Sequence, residues 1–376
     1  MSSTTGRDDA PRGIAKPVEG VSAPLRMGVV GLGIGGSHIQ AFLKMPDRFQ
    51  VAAVCDKDAG KAREAADLFG IPRVSDDFAQ ICAMKDLDVI DICTPSYLHY
   101  AHCRHALEAG KHVICEKPLA GSLKEVDGLR DAQEASGRIL MPIFQYRFGN
   151  GLQKLKVLIQ KGVAGPAYLC TTETAWRRRE DYYAAAWRGK WKTELGGTLV
   201  THAIHALDLL IHVLGPVRSV VARTATRVHP IEVEDTFSAS LEMGDGSLAS
   251  ISGTVGSSAE ISRHRFCFRN LSAESNTRAY SNSGDDWVFT GDTEPAARQI
   301  QQVIENYEPR PEGYEGQFIR FHESLEKGDQ PPVTIQDARA VMEAITAVYH
   351  ASRTAREVTL PIPADHPLYA SLSPRT

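Results

Sequence analysis

Three short stretches hold residue types that can do chemistry. In "VICEKPLA" (113–120) an apolar run ends abruptly in Glu116, Lys117 and Pro118. Lysine is rarely buried, so one that ends a core strand needs a reason to be there. In "ELGGTLVTHAIHALDLLIHVLG" (194–215), read as one helix at about 100° per residue, Thr201, His205, Asp208 and His212 fall within roughly 60° of one another. Leu199, Ala203, Leu207, Leu210 and Leu214 take the opposite face. A water-facing stripe usually carries Lys, Arg or Glu; this one carries two His and an Asp, the material of proton transfer. The His202, His205, Asp208 spacing also permits a metal. His202 points away from the stripe, however, and no Cys or acid cluster completes a site, so no metal is expected. The third stretch is "GLGIGGSHIQAFLKM", with Gly31, Gly33 and Gly36 between an apolar strand and a helical pattern.

That glycine spacing in that context is the dinucleotide fingerprint. Gly31 makes a tight turn, Gly33 lets backbone approach a pyrophosphate, and Gly36 lets helix and strand pack closely. The helix start supplies N–H groups and a dipole for the phosphates. Asp56 lies twenty residues past Gly36, behind a second strand, "QVAAVC", where an acid can bond the adenosine ribose and repel a 2′-phosphate. NAD is therefore favoured over NADP, although Lys57 beside it opposes that preference.

The elements around these stretches alternate. Strands at 25–31, 50–55, 88–95, 111–118 and 138–148 are interleaved with helices, which predicts a doubly wound parallel sheet. Ligands of such sheets sit beyond the carboxyl ends of the strands, where Thr94-Pro95 and Glu116-Lys117-Pro118 fall. Lys117 then ends a core strand because that edge faces the nicotinamide end of the cofactor. After residue 148 the rhythm changes. Strands at 166–176, 217–228, 235–243, 247–255 and 264–270 follow one another with short turns, Gly244-Asp245-Gly246 being a hairpin signal. This predicts a second, mostly antiparallel sheet, with helices at 315–328 and 337–355. Between the strand at 166–176 and the helical stretch at 194–215 lies "WRRREDYYAAAWRGKWK" (176–192), with Trp176, Trp187, Trp191, Tyr182 and Tyr183. Aromatic faces stack on sugar C–H faces and Arg holds hydroxyls or anions; a packed loop or an oligomer contact explains the cluster equally well.

With 376 residues the chain is too long for one ordinary core. We expect a loose tail at 1–24, a dinucleotide-binding unit at 25–145 and a substrate-binding and oligomerisation unit at 146–376. The net charge of −4 gives no pull toward nucleic acid or an anionic membrane. No run approaches the roughly 18 apolar residues of a membrane helix. The first two dozen residues lack the apolar core of a signal peptide, so the cytoplasm is the expected location. Seven cysteines with no CxxC pair suit a reducing compartment and no disulfide framework.

The glycine loop together with "DICTPSYLHYAHCRHALEAGKHVICEKPLA" resembles the Gfo/Idh/MocA oxidoreductase family over nearly all of residues 25 to 362. The resemblance implies an N-terminal Rossmann domain, a C-terminal α/β domain with a large open sheet, and hydride transfer between NAD(P) and a hydroxyl of a sugar, cyclitol or sugar derivative. It implies that Lys117 touches both nicotinamide and substrate hydroxyl, after a peptide bond to Pro118 that is often cis. It makes His205 the proton acceptor, matching a His-x-x-Asp with Asp208. The family often has Asp where this chain has Thr201, so a Lys–Asp–His trio is not carried over. Arg147, Thr201, Asp208, Trp176 and Tyr183 become expected substrate contacts. Gly31, Gly33, Ile34, Gly36, Asp56, Thr94, Pro95, His99, Glu116, Lys117, Gln145, Trp187 and Arg188 become expected cofactor contacts. Redox-assisted cleavage of a glycoside and, on the same fold, a non-catalytic ligand sensor are the alternatives. A homodimer or homotetramer is expected, because a broad second sheet usually finds a partner.

Overall fold

A computed structural model of the chain describes residues 24–374. The expected tail at 1–24 therefore lies, but for Pro24, outside the described residues. Strands β1 (Leu25–Val30), β2 (Phe49–Cys55), β3 (Val74–Ser75), β4 (Val89–Ile92), β5 (His112–Cys115) and β6 (Leu140–Pro142) alternate with helices α1 (Gly35–Leu43), α2 (Ala59–Phe69), α3 (Phe78–Ala83), α4 (His99–Glu108) and α5 (Leu123–Ser136). The inner strands are short Val/Ile-rich runs buried on both faces, as a parallel sheet covered by helices requires. Side-chain caps start α2 and α5: Asp58 accepts from the N–H groups of Gly60 and Lys61, and Ser122 from that of Glu125.

The six strands run parallel in the order β3-β2-β1-β4-β5-β6. The order reverses between β1 and β4, and the crevice at the carboxyl ends there is where such sheets take ligands. Gly31, Thr94 and Lys117 all sit at those ends. The strand expected over 138–148 is shorter than the sequence suggests. Beyond Pro142, the Gln317 side chain takes over the edge, donating to Pro142 O at 2.8 Å and accepting from Phe144 N at 3.2 Å. Residues 145–148 then form a tight helical turn.

The second unit contains α6 (Asn150–Gln160), β7 (Ala167–Arg177), α7 (Glu180–Tyr183), α8 (Thr198–Thr201), α9 (Ile204–Leu214), β8 (Val217–Ala225), β9 (Thr236–Met243), β10 (Leu248–Thr254), β11 (Gly256–Phe268), β12 (Leu271–Glu274), β13 (Val288–Gly291), α10 (Glu294–Glu305), α11 (Gly313–Lys327), α12 (Ile335–Thr354) and β14 (Val358–Thr359). Eight strands form one sheet in the order β13-β12-β11-β7-β10-β9-β8-β14. All neighbours are antiparallel except β7 and β10. Period-two alternation puts Phe237, Ala239, Leu241, Ala249 and Ile251 on the face packed by helices. Leu169, its partner Leu248, and Val221 are exposed on the other face.

Helices α11 and α12 return to the first unit. Phe318 stacks on Phe42 at 4.3 Å, Arg339 pairs with Asp127 at 2.9 Å, and Tyr314 hydroxyl donates to Glu116 at 2.9 Å. The last part of the chain is thus shared by both cores.

Candidate active site

The glycine loop meets β4 closely. Gly31 has φ +87°, and a Cβ there would lie 2.6 Å from Cys93 O, so neither another backbone conformation nor a side chain fits. The close helix–strand packing expected of Gly36 falls instead to Gly35, whose Cβ would approach Val29 and Cys93 at 3.2 and 3.3 Å. Added Cβ atoms at Gly33 and Gly36 would meet nothing within 4 Å; both face open space at the start of α1, beside the exposed Ile34. The first-turn N–H groups of a helix have no intrahelical acceptor, so this rim can receive phosphate oxygens. Asp56 stands across the loop, accepting from Leu32 N at 2.9 Å and Asp58 N at 3.1 Å, with Lys61 at 3.5 Å. Burial raises its pKa, but these N–H groups and Lys61 outweigh that and lower it. An ionised carboxylate has about four acceptor positions, so oxygens remain for ribose hydroxyls. The cradle fits a dinucleotide.

Lys117 emerges from β5 and is joined to Pro118 by a cis peptide bond, and its ammonium donates to Thr201 O at 2.8 Å. That carbonyl is available because the helix expected over 194–215 is broken. The Thr201 hydroxyl bonds back to Gly197 O at 2.8 Å, a contact that bends helices. His202 and Ala203 N–H both go to Thr198 O, and the ladder restarts with Leu207 N–H to Ala203 O. The break turns His202 into the site, contrary to the helical wheel. His202 shares a 2.7 Å bond with Thr201 Oγ1 through Nδ1, and its Nε2 accepts from Arg178 Nε at 3.0 Å. Thr201 therefore meets Lys117 with its carbonyl and His202 with its hydroxyl.

Burial pulls Lys117 below the ordinary lysine pKa; Glu116 resists, while Arg188 and Arg178 add to the pull. Burial, then Arg178 and Lys117, hold His202 well below the ordinary histidine value. His205 is pushed down to about 3 by burial and by Lys117. It stacks on Tyr146 at 4.4 Å, and its buried Nδ1 has no hydrogen-bond partner among the described residues. Both shifts favour the neutral ring.

His202, His205, Tyr146 and Trp176 line one pocket with Asn282 and His264. Trp176 donates to Ser262 Oγ at 2.9 Å. Trp187 and Arg188 come near Lys117 as a stack: the guanidinium lies 3.8 Å from the Tyr182 ring and 4.1 Å from the Trp187 ring, and pairs with Glu194 at 2.8 Å. Tyr183 packs on Tyr182 and His229, outside the pocket lining.

Other expected residues sit elsewhere. Arg147 and Asp208 meet each other, fully buried, with N···O contacts of 2.6, 2.9 and 3.1 Å; Asp337 takes the far guanidinium nitrogen at 3.1 Å. Burial raises Asp208 to about 6 against the pull of Arg147. His99 bridges the ends of β4 and β5, with Thr94 O and Pro118 O each 2.7 Å from a ring nitrogen. Gln145 lies in the turn beside Tyr146, its Oε1 buried without a partner among the described residues. Glu116 accepts from Lys117 N at 3.0 Å with one oxygen and bonds Tyr314 and His38 with the other.

His38 was not singled out in the sequence. It lies between Asp91 at 2.9 Å and Glu116 at 3.3 Å, with Cys93 Sγ at 3.4 Å. Burial lowers the His38 pKa, but Asp91 outweighs it and the ring is held well above the ordinary value. Burial also raises Glu116, yet His38 and Lys117 bring it down to about 2. His38, Asp91 and Cys93 gather three potential ligand atoms within 4.8 Å, and they are bonded to one another. The polar position of His38 beside the glycines was legible; its burial against β4 was not.

Residues 25–144 match the model of an oxidoreductase family with an NAD-binding Rossmann fold, and residues 152–268 match the Gfo/Idh/MocA C-terminal domain. D-glucoside 3-dehydrogenase of Escherichia coli K12 is 34% identical over 55% of this chain; the match spans 59% of that protein. Levoglucosan dehydrogenase of Pseudarthrobacter phenanthrenivorans is 27% identical over 61% of this chain and 67% of its own length. The WlbA dehydrogenase of Bordetella pertussis, solved with NADH and UDP-GlcNAcA, superimposes with a TM-score of 0.80 at 28% identity, covering 90% of this chain and all of that one. The glycine cradle, the strand-end lysine and the order of both sheets are accounted for together: the chain belongs to the Gfo/Idh/MocA family of NAD-binding oxidoreductases.

Proposed function

We propose that the protein is a dehydrogenase that uses NAD in preference to NADP and acts on a secondary hydroxyl, or the corresponding ketone, of a sugar, cyclitol or sugar derivative. When bound, the nicotinamide supplies the hydride acceptor. Gly31, Gly33, Ile34 and Gly36 hold the phosphates and Asp56 the ribose; Thr94, Pro95 and the Lys117 strand end border the nicotinamide. One observation carries the reading: of the two histidines beside Lys117, His202 has both ring nitrogens engaged, whereas no ring nitrogen of His205 is hydrogen-bonded among the described residues, and only its Nδ1 is sealed. His205 is thus the ring with a nitrogen left to take a hydroxyl proton. Its low pKa keeps it neutral, hence able to accept, at any ordinary pH. Lys117, oriented by the Thr201 carbonyl, stabilises the charge that develops on the substrate oxygen. We place Arg147 and Asp208 one step back, as the pair that sets the position of α9, and His99 as the brace between the two strand ends.

The seven unpaired cysteines support a reducing, cytoplasmic location. Among the described residues no helix is long and apolar enough to cross a membrane. The exposed Leu169, Leu248 and Val221 support a homodimer or homotetramer through the second sheet, to be checked by light scattering in solution. The function is tested with neutral sugars, cyclitols and glycosides offered with NAD and NADP, followed at the nicotinamide absorbance. Net NADH release is expected, reduced about 100- to 1,000-fold in Lys117→Ala. Cleavage of a glycoside without net NADH overturns the dehydrogenase reading in favour of redox-assisted cleavage, and binding without turnover in favour of a sensor.

A further inference from the structure

Glu234 stands in the connection between β8 and β9 and is buried together with its neighbours Val233 and Asp235. The Asp235 carboxylate fixes that connection, accepting from the N–H groups of Arg227, Val228 and His229 at 2.8, 2.7 and 2.9 Å. Asp235 N donates to Ala225 O at 3.1 Å, and Val255 N donates to Asp235 O at 3.1 Å, so the backbone beside Glu234 is stitched into the second sheet. From this anchorage Glu234 takes three successive N–H groups at the start of α8. Its carboxylate accepts from Gly197 N at 3.0 Å and Leu199 N at 2.9 Å, and its carbonyl accepts from Thr198 N at 2.9 Å. The buried Tyr349 of α12 donates its hydroxyl to the same carboxylate at 2.8 Å.

No side chain fits between these groups. A Cβ on Gly197 would overlap Glu234 O and stand 2.8 Å from the Glu234 carboxyl carbon, and a Cβ on Gly196 would stand 2.7 Å from the Tyr349 hydroxyl. The two glycines thus let α8 press directly on its mount. The far end of α8 is one turn away. Gly197 O accepts from Thr201 N at 2.9 Å and from Thr201 Oγ1 at 2.8 Å. Thr201 O in turn holds the Lys117 ammonium, and Thr201 Oγ1 meets His202. A single turn has no slack, so a shift at Gly197 arrives at Thr201. Among the described residues, what holds the Glu234 carboxylate is N–H groups and one hydroxyl rather than a cation. A buried carboxyl without an opposite charge is costly, and its place at the foot of this turn calls for a role beyond packing. Burial lifts it to about 7. Protonation does not undo the mount, because a neutral carboxyl keeps two accepting oxygens whereas an amide keeps one.

We propose that Glu234 is a positioning residue of the reaction: its carboxyl group, backed by Tyr349, sets α8 where Thr201 O meets the Lys117 ammonium and Thr201 Oγ1 meets His202. Glu234 itself stays away from substrate and cofactor and acts through Gly197 and Thr201. Lys117 comes from the first unit and its carbonyl partner from the second, so Glu234 ties the lysine's far end to the second sheet. The inference rests on the dehydrogenase reading, in which Lys117 steadies the substrate oxygen, and goes beyond it by naming what aims that lysine.

The test uses the full-length protein and the best substrate of the panel. Glu234→Gln sets an amide NH2 against the Gly197 N–H, two donors face to face, and should displace the turn. Misplacement of this kind should lower kcat about 10- to 100-fold. KM for the substrate and Kd for NAD should stay within about threefold, since the lysine acts in the transition state. In a Lys117→Ala background the same substitution should cost under about threefold more, because the group it aims is gone. A crystal structure of Glu234→Gln should show Thr201 O drawn away from Lys117. The proposal is overturned by a kcat within about twofold of the parent, by an equal loss in both backgrounds, or by a variant structure that keeps the Lys117–Thr201 contact. Thermal unfolding reports whether each variant is folded. If Glu234→Gln does not fold, Tyr349→Phe takes its place; it keeps the ring in the core and removes one donor, so kcat should fall about 3- to 10-fold, and an unchanged kcat overturns the role. If the parent turns over nothing, the dehydrogenase reading has failed. The structures of parent and variant then decide the mount alone, and an undisturbed Thr201 in the variant again overturns it.

Discussion

The Arg147–Asp208 pair separates two meanings that a sequence motif cannot. If the pair pins α9 to the turn after β6, Asp208→Asn should be a stability variant. The two side chains are 4% and 1% exposed, so removing the charge on one leaves the other stranded. Breaking such a pair typically costs about 3–5 kcal/mol. Asparagine keeps the volume and one acceptor, and Asp337 still holds the far nitrogen at 3.1 Å, so the low end, about 3 kcal/mol, is expected. At about 1–2 °C per kcal/mol for a chain of 376 residues, the Tm should fall by about 3–6 °C. The double variant Arg147→Met/Asp208→Leu removes both charges together and should recover most of that loss. Thermal unfolding by circular dichroism reads the first quantity, and KM on the best substrate reads the rival. A Tm within about 2 °C of the parent together with a KM raised tenfold or more would refute the structural reading and return both residues to the substrate.

Three further outcomes follow from the electrostatics. With His205 pushed down to about 3 and required neutral, the acid limb of kcat/KM should lie below pH 5, and with Lys117 lowered and required charged, the alkaline limb should lie below the ordinary lysine value of about 10.5; an acid limb that persists unchanged in His205→Asn refutes His205 as the acceptor. His38→Gln leaves Asp91 and Glu116 without their shared cation and should cost about 3 kcal/mol. Because the folded pKa of His38 is raised, its contribution is complete below about 6.5 and disappears as pH rises through the folded value, so the Tm gap between parent and variant should narrow from pH 6 to pH 9; a constant gap contradicts a charged His38. Titration of both cofactors should show NAD tighter than NADP, with Asp56→Ala narrowing the difference; equal affinities in the parent contradict the ribose role.

What the sequence made legible was what backbone geometry demands. Gly31 is required by a positive φ against β4, and the strand-to-helix context around it is local. The strands are short β-branched runs, and their carboxyl ends carry Thr94 and Lys117 in plain view. The break at His202 was not visible, because no proline or glycine marks it. It comes from the Thr201 hydroxyl and from partners, Arg178 and Lys117, that lie far away in the chain. The same distance hid the Arg147–Asp208 pair and the His38 cluster, each of which joins elements that only the fold brings together. Asn282 had no periodic pattern to announce it. Helix α10 was legible and overlooked: Thr293 caps it and a proline follows in its first turn.

The return of α11 and α12 has a consequence for how the protein is made. Phe42 and Arg48, near the beginning of the chain, are covered by Phe318 and His322, and the Arg48–His322 contact spans 274 residues. The edge at Pro142 waits for Gln317, and Glu116 waits for the Tyr314 hydroxyl. As the ribosome extends the chain, the nucleotide-binding half is synthesised first and cannot bury these surfaces until its last quarter has emerged. Closing such distant contacts is slow relative to local ones, and an exposed Phe42 is a sticky surface in the interval. A nascent chain halted near residue 310 would therefore carry the complete strand order of the first sheet with an open apolar flank, a species for chaperones to hold.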